Sequence, residues 1–257
     1  MSFERLCALR DAMGWIYGSE DLCVLLYSLV KRARPRTVIE LGTGFGVTAA
    51  WMGIALRESG LGLIHTYDNG SHFCSAPGQR FVEALEGPLA ESILEPGQGY
   101  LDFLGRVFSW AGVEDQVRAH VQDICVLEIA RAPEFDEGVD ILFSDFSHSQ
   151  ESIQALLGAF IPRMSDSASI FIDSASTQRL SYLTLESLIC ALNQNKIPRA
   201  LIHGRNEEDS VKLVARIQRS RFRLMHLVEA RERAQNSTAW ISIEPVDVIP
   251  TSAPFLH

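Results

Sequence analysis

Thr37-Val38-Ile39-Glu40-Leu41-Gly42-Thr43-Gly44-Phe45-Gly46 is the stretch on which the reading of this chain turns. An apolar, β-branched run ends in an acid, and glycines then stand at three alternate positions. Val47-Thr48-Ala49-Ala50-Trp51-Met52-Gly53-Ile54-Ala55-Leu56 follows at once with helical patterning. A strand, a tight glycine turn and a helix in succession place a helix N-terminus against a ligand. Glycine lets the main chain take positive φ and lets a bulky ligand touch it. A dinucleotide fingerprint, G-x-G-x-x-G, would need its third glycine where Val47 stands, so an NAD-dependent oxidoreductase ranks last among the candidate activities. The order here is acid-x-G-x-G-x-G.

Outward from this turn, apolar segments alternate between strand and helix patterning. Residues 4–18 read as a short amphipathic helix. Ser19-Glu20-Asp21 offers a start for a second helix over 22–34, which Pro35 stops. Strands are expected at Thr37–Leu41, 62–67, Val117–Val121, Val139–Ser144 and 168–172. Helices are expected at Tyr100–Ala111, 150–163, 183–193 and 211–220. The segments 222–230 and 238–243 read as an antiparallel pair at a sheet edge. Between Asn69 and Gly97 the pattern breaks at Pro77-Gly78, Gly87-Pro88 and Pro96-Gly97. That is long for a strand-to-helix connection and fits a lid or substrate insert holding a helix near 79–86. The expectation is one α/β domain over 1–257, with N-terminal helices in 1–35 and an insert at 69–97. Its sheet would be Rossmann-like and doubly wound, mostly parallel and seven-stranded, with an antiparallel C-terminal edge hairpin.

The acid and alternating glycines resemble the first motif of class I S-adenosylmethionine-dependent methyltransferases. The resemblance implies S-adenosylmethionine as cofactor, cradled at Glu40, Gly42, Thr43, Gly44 and Gly46. In doubly wound sheets ligands sit beyond the carboxyl ends of the strands, so the strand ends carry the remaining signals. Asp68 ends the second strand, about twenty residues past the last glycine, where an acid can accept from both ribose hydroxyls. Its alternative role is a turn aspartate before Asn69-Gly70. Trp110-Ala111-Gly112-Val113-Glu114-Asp115-Gln116-Val117 resembles the lead-in to the third strand of small-molecule methyltransferases. That likeness gives Asp123 the adenine amino group and Ile124 the ring face. Asp123 could equally cap the helix that follows.

Ser144-Asp145-Phe146-Ser147-His148-Ser149-Gln150-Glu151 resembles the D-x-x-H-S-x-E segment of a catechol-methyltransferase-like branch of that class. Asp145 then serves as a charge anchor near the cofactor. The resemblance makes His148 the base for a hydroxyl or ammonium acceptor, a role that suits histidine as a residue type. The plain alternative is a loop histidine bonded to the next helix. Metal-dependent relatives carry a pair of ligands after the fifth strand, whereas this chain has Asp173-Ser174. Asp145 and Asp173 could still hold Mg²⁺ together with waters. Tyr17, His72, Phe73 and Tyr100 are candidates to line an acceptor pocket, with packing as the alternative for each.

The chain has 257 residues, 47% of them hydrophobic, which suits one full α/β core. Its net charge is −9, and the densest basic cluster, Lys31-Arg32-Ala33-Arg34-Pro35-Arg36, reads as a helix C-terminus. Nucleic acid is therefore disfavoured as a partner. Five cysteines with no C-x-x-C pair suggest reduced thiols and a cytoplasmic setting. No signal-peptide pattern and no membrane-spanning run are visible. The reading that follows is methyl transfer to the oxygen or nitrogen of a small-molecule acceptor, by in-line displacement. Homodimer formation is left open. An aminopropyl-type transferase of the same fold, or a silent cofactor-binding module, are the alternatives.

Overall fold

The structure is a computed structural model that describes residues 2–13, 20–175, 179–228 and 237–246. Helices α1 (Ser2–Met13) and α2 (Glu20–Ala33) come first. Strand β1 (Thr37–Leu41) runs through the glycine turn into α3 (Val47–Ser59). Strand β2 (Leu63–Asp68) is followed by three short helices, α4 (Ser71–Cys74), α5 (Ala76–Glu83) and α6 (Gly87–Ile93), and then by α7 (Tyr100–Ala111). The alternation continues with β3 (Val117–Val121), α8 (Val126–Ala130), β4 (Val139–Ser144), α9 (Gln150–Phe160) and β5 (Met164–Asp173). Last come α10 (Arg179–Asn193), α11 (Arg199–Ile202), α12 (Glu207–Gln218), β6 (Ser220–Val228) and β7 (Ser237–Pro245).

The described strands form one seven-stranded sheet in the order β3-β2-β1-β4-β5-β7-β6. The β1–β2, β1–β4, β2–β3 and β4–β5 pairs are parallel, and β7 runs antiparallel to both β5 and β6. This is the Rossmann-like sheet with an antiparallel edge that the patterning predicts. Strand β5 starts earlier than expected, because Met164 already pairs with Val139 before an irregularity in the ladder. The polar Ser165-Asp166-Ser167 hides that pairing from a reading of apolar runs. Residues 14–18 of the first expected helix, with Tyr17, lie outside the described residues, as do 229–230 of the sixth expected strand.

Alternate residues of a strand face opposite sides of a sheet. Val38 joins a core formed with Leu26, Trp51, Ile54, Phe103 and Val107 from α2, α3 and α7. Ile39 and Leu41 join the other core, with Leu157, Leu185, Leu213 and Ile217 from α9, α10 and α12. The strand order reverses between β1 and β4, so a crevice opens beyond their carboxyl ends. Among the described residues no helix is long and apolar enough to cross a membrane.

Candidate active site

The three glycines after β1 do different jobs. All have positive φ: 97° at Gly42, 54° at Gly44 and 80° at Gly46. A Cβ on Gly42 would stand 2.6 Å from the Asp145 carbonyl oxygen, and one on Gly46 would stand 3.0 Å from the Phe108 ring. Those two glycines make room for the protein itself. A Cβ on Gly44 would meet nothing within 4 Å, so this position borders open space of the kind a ligand occupies. Gly46 is the N-cap residue of α3 and supplies no side-chain cap, which leaves the first N–H groups of the helix for a ligand or solvent. Phe45, between the last two glycines, is buried against the rings of Phe81 at 5.1 Å, Phe103 at 5.7 Å and Phe73 at 6.2 Å.

Register brings Thr66 of β2 opposite Glu40 of β1. The Thr66 hydroxyl donates to Glu40 Oε2, so Thr43 is left to donate to Thr66, and the three side chains form one chain of hydrogen bonds. Glu40 is fully buried, and its Oε1 has no partner among the described residues. Burial pushes its carboxyl up to about 8; the Thr66 bond opposes the shift, and the charges of Asp68 and Asp145 add to it. A fully buried carboxyl oxygen with no partner among the described residues has room for one further hydrogen bond.

Asp68 does the work expected of a turn aspartate, accepting the Gly70 N–H at Oδ1 over 2.7 Å. Its Oδ2 also accepts the Gly44 N–H at 3.1 Å, so it ties the glycine turn to the end of β2. Asp123 Oδ1 accepts from the Asn69 amide at 2.9 Å. Helix α8 has Cys125 at its N-cap and no side-chain cap bond, so Asp123 does not cap it. Ile124 is half-buried against the second core. The carboxylates of Asp68 and Asp123 thus stand on neighbouring strand ends, joined through Asn69.

Across the crevice, the Asp145 N–H donates to the Leu41 carbonyl at 2.8 Å and the Gly42 N–H donates to Tyr67 at 2.9 Å. This fixes β1, β2 and β4 around the turn. His148 Nε2 lies 3.5 Å from Asp145 Oδ1. Its Nδ1 is buried and without a partner among the described residues. The loop between them is anchored at both sides. The His148 carbonyl accepts from Ser181 of α10, and Ser149 caps α9 by accepting the Ser152 N–H at 3.1 Å. Asp173 is pushed up by burial first and by the Asp145 charge second, while Thr238 and Ser174 hydroxyls donate to its two oxygens at 2.7 and 3.2 Å. Among the described residues no group of three or more His, Cys, Asp or Glu is placed to hold a metal ion.

Of the candidate pocket residues, His72 is exposed, whereas Phe73 is buried with its ring 5.1 Å from Phe103. Tyr100 is buried too, and its hydroxyl donates to the Gly44 carbonyl at 2.7 Å. Burial pushes its phenol well up, with the Asp68 and Glu40 charges adding to that, so it stays a donor at neutral pH. Sequence reasoning missed Thr66 and Thr238. The available signal was a threonine inside an apolar strand, which marks a polar neighbour but does not say which one.

The family model described as a methyltransferase domain matches residues 39–175, just over half of the chain. With the sheet order and the glycine turn, this places the chain in the class I S-adenosylmethionine-dependent methyltransferase family. Several solved structures share the fold. The O-methyltransferase TomG from Streptomyces achromogenes, solved with S-adenosylmethionine, is 14% identical with a TM-score of 0.54, over 94% of this chain and 90% of that one. An O-methyltransferase from Bacillus cereus, solved with S-adenosylhomocysteine, is 14% identical with a TM-score of 0.51, over 95% and 90%. A methyltransferase from Geobacter sulfurreducens is also 14% identical, with a TM-score of 0.51 over 95% and 89%. At such identities the likeness concerns the fold. No curated protein matches the chain by sequence.

Proposed function

We propose that the protein transfers a methyl group from S-adenosylmethionine to an oxygen or nitrogen of a small-molecule acceptor. The observation that carries this reading is the open space at Gly44, whose N–H is held by Asp68, in a glycine turn that ends the strand next to β4. When bound, the cofactor supplies a methyl group on a sulfonium, which leaves by in-line displacement. The chain's own residues then have three tasks. Gly44 leaves room for the cofactor, Glu40 and Asp68 offer acceptors to its amine and ribose, and Asp123 and Ile124 receive its base. Asp145, 3.5 Å from His148 Nε2, orients the imidazole. His148 takes the acceptor's proton as the acceptor's lone pair attacks. Little new charge develops that needs an oxyanion hole, so alignment and exclusion of water supply much of the acceleration.

Calorimetry should show S-adenosylhomocysteine binding in the micromolar range, about −8 kcal/mol, and no comparable binding of NAD. Incubation with S-adenosylmethionine and a panel of phenols and amines should give an acceptor that gains one methyl by mass. With that acceptor, His148→Ala should lower turnover about a hundredfold and leave S-adenosylhomocysteine affinity nearly intact. Near-normal turnover in the variant would remove His148 from the chemistry. Turnover lost to EDTA and restored by Mg²⁺ would shift the role toward a metal at Asp145 and Asp173.

A further inference from the structure

Two bridges join the glycine turn to the loop after β2. The first is Asp68, whose carboxylate accepts both the Gly44 N–H and the Gly70 N–H. The second is Tyr100, the first residue of α7. Its hydroxyl donates to the Gly44 carbonyl at 2.7 Å. Its ring lies against Gly70, where an added Cβ would sit 2.7 Å from Tyr100 Cδ1. Gly44 is therefore gripped at both its N–H and its C=O. A glycine at positive φ has more conformational freedom than any other residue, and those two bonds remove it.

Gly70 and Tyr100 also bracket residues 71–99, so their contact closes the two ends of the insert on each other. The insert is plugged into the same turn from the other side. Phe45 packs on Phe73 of α4, Phe81 of α5 and Phe103 of α7. A ligand that fixes Gly44 and Asp68 therefore acts on both anchors of the insert.

We propose that Tyr100 is a positioning residue for the cofactor: its hydroxyl sets the Gly44 peptide, and its ring carries occupancy of that turn to the segment 71–99. The proposal rests on the methyltransferase reading for the identity of the ligand, but the strut itself belongs to the protein.

Tyr100→Phe removes one oxygen and keeps the ring, and Phe73→Leu loosens the same aromatic cluster while keeping the hydroxyl. Three measurements on the full chain decide the matter: amide exchange at Gly44 without ligand, calorimetry with S-adenosylhomocysteine, and exchange over 71–99 with and without that ligand. In Tyr100→Phe, Gly44 exchange should rise at least about tenfold and the Kd should rise about tenfold. The slowing of exchange over 71–99 that the ligand gives in the wild type should disappear. Phe73→Leu should lower thermal stability yet keep the Kd within about twofold. A Tyr100→Phe protein that binds like the wild type with unchanged Gly44 exchange overturns the proposal. An equal loss of affinity in both variants also overturns it, by reducing Tyr100 to packing. If the wild type itself binds no S-adenosylhomocysteine, the cofactor reading fails, and Gly44 exchange in the ligand-free variant still decides whether the strut exists.

Discussion

Gly42 and Gly44 stand two residues apart, both with positive φ, yet their substitution should read out on different quantities. Gly42→Ala drives a methyl group into the Asp145 carbonyl, which is backbone and cannot swing away. Urea denaturation should show a loss of at least about 2 kcal/mol. Gly44→Ala meets no protein atom, so the chain pays only for its backbone conformation, about 1 kcal/mol. The methyl instead enters the space assigned to the cofactor, and S-adenosylhomocysteine affinity should fall at least about tenfold. Asp68→Ala should weaken that ligand by about 1–3 kcal/mol, the scale of a lost hydrogen-bond partner. Since the same change frees the N–H groups of Gly44 and Gly70, Asp68→Asn provides the comparison. Calorimetry that finds the ligand bound normally in both would leave Asp68 as a turn residue alone.

At the scale of elements, the insert and the edge hairpin each hold the site from a distance. The helices α4 and α5 are short and gain their order from packing rather than from helix propensity. Phe45 is the side chain they pack on. Phe45→Ala should cost about 3–5 kcal/mol, as truncation of a buried aromatic does. Hydrogen exchange should quicken across 71–93 more than across β4 and β5. The hairpin acts through Thr238, which β7 sets opposite Asp173. Thr238→Val keeps the shape and removes the donor at 2.7 Å, leaving a buried carboxylate with one partner fewer. A loss of about 1–3 kcal/mol at neutral pH is expected, smaller near pH 4 where the carboxyl is protonated.

The buried acid under the turn should shape the stability of the whole molecule. An unfolded chain gives up the Glu40 proton near 4.5, whereas the folded chain keeps it to about 8. Between those values the native state binds more protons than the unfolded one, so stability falls as pH rises and levels off above the upper value. Asp173, raised from 3.8, contributes with the same sign. Glu40→Gln removes the first contribution and keeps an acceptor for Thr66. Relative to the wild type, the variant should gain about 2–4 kcal/mol between pH 5 and pH 8, at about 1.4 kcal/mol for each unit of displacement. Chemical denaturation of both proteins at the two pH values measures it. A constant difference would mean that Glu40 is ionised in the fold.

The strands, the glycine turn and the acids at the strand ends were legible because each is local. Apolar runs of strand length, a positive-φ residue type and an acid at the end of a run lie within a few neighbouring residues, and Thr37–Gly46 shows all three. Even the antiparallel edge followed from two short apolar segments with a polar turn between them. The partners of those acids were not legible, since hydrogen bonds across a sheet depend on register and strand order. Thr66 meets Glu40 because β2 pairs with β1 in one particular register. Thr238 meets Asp173 only because β7 inserts between β5 and β6. Tyr100 reads as an aromatic at a helix start, and nothing near it in the chain points to Gly44. The sequence alone determined the fold and the glycine turn, through steric and apolar rules that act over short distances. Tertiary structure decided which buried polar groups are satisfied, because that depends on long-range packing of separated segments, and it left Glu40 Oε1 and His148 Nδ1 unpaired among the described residues.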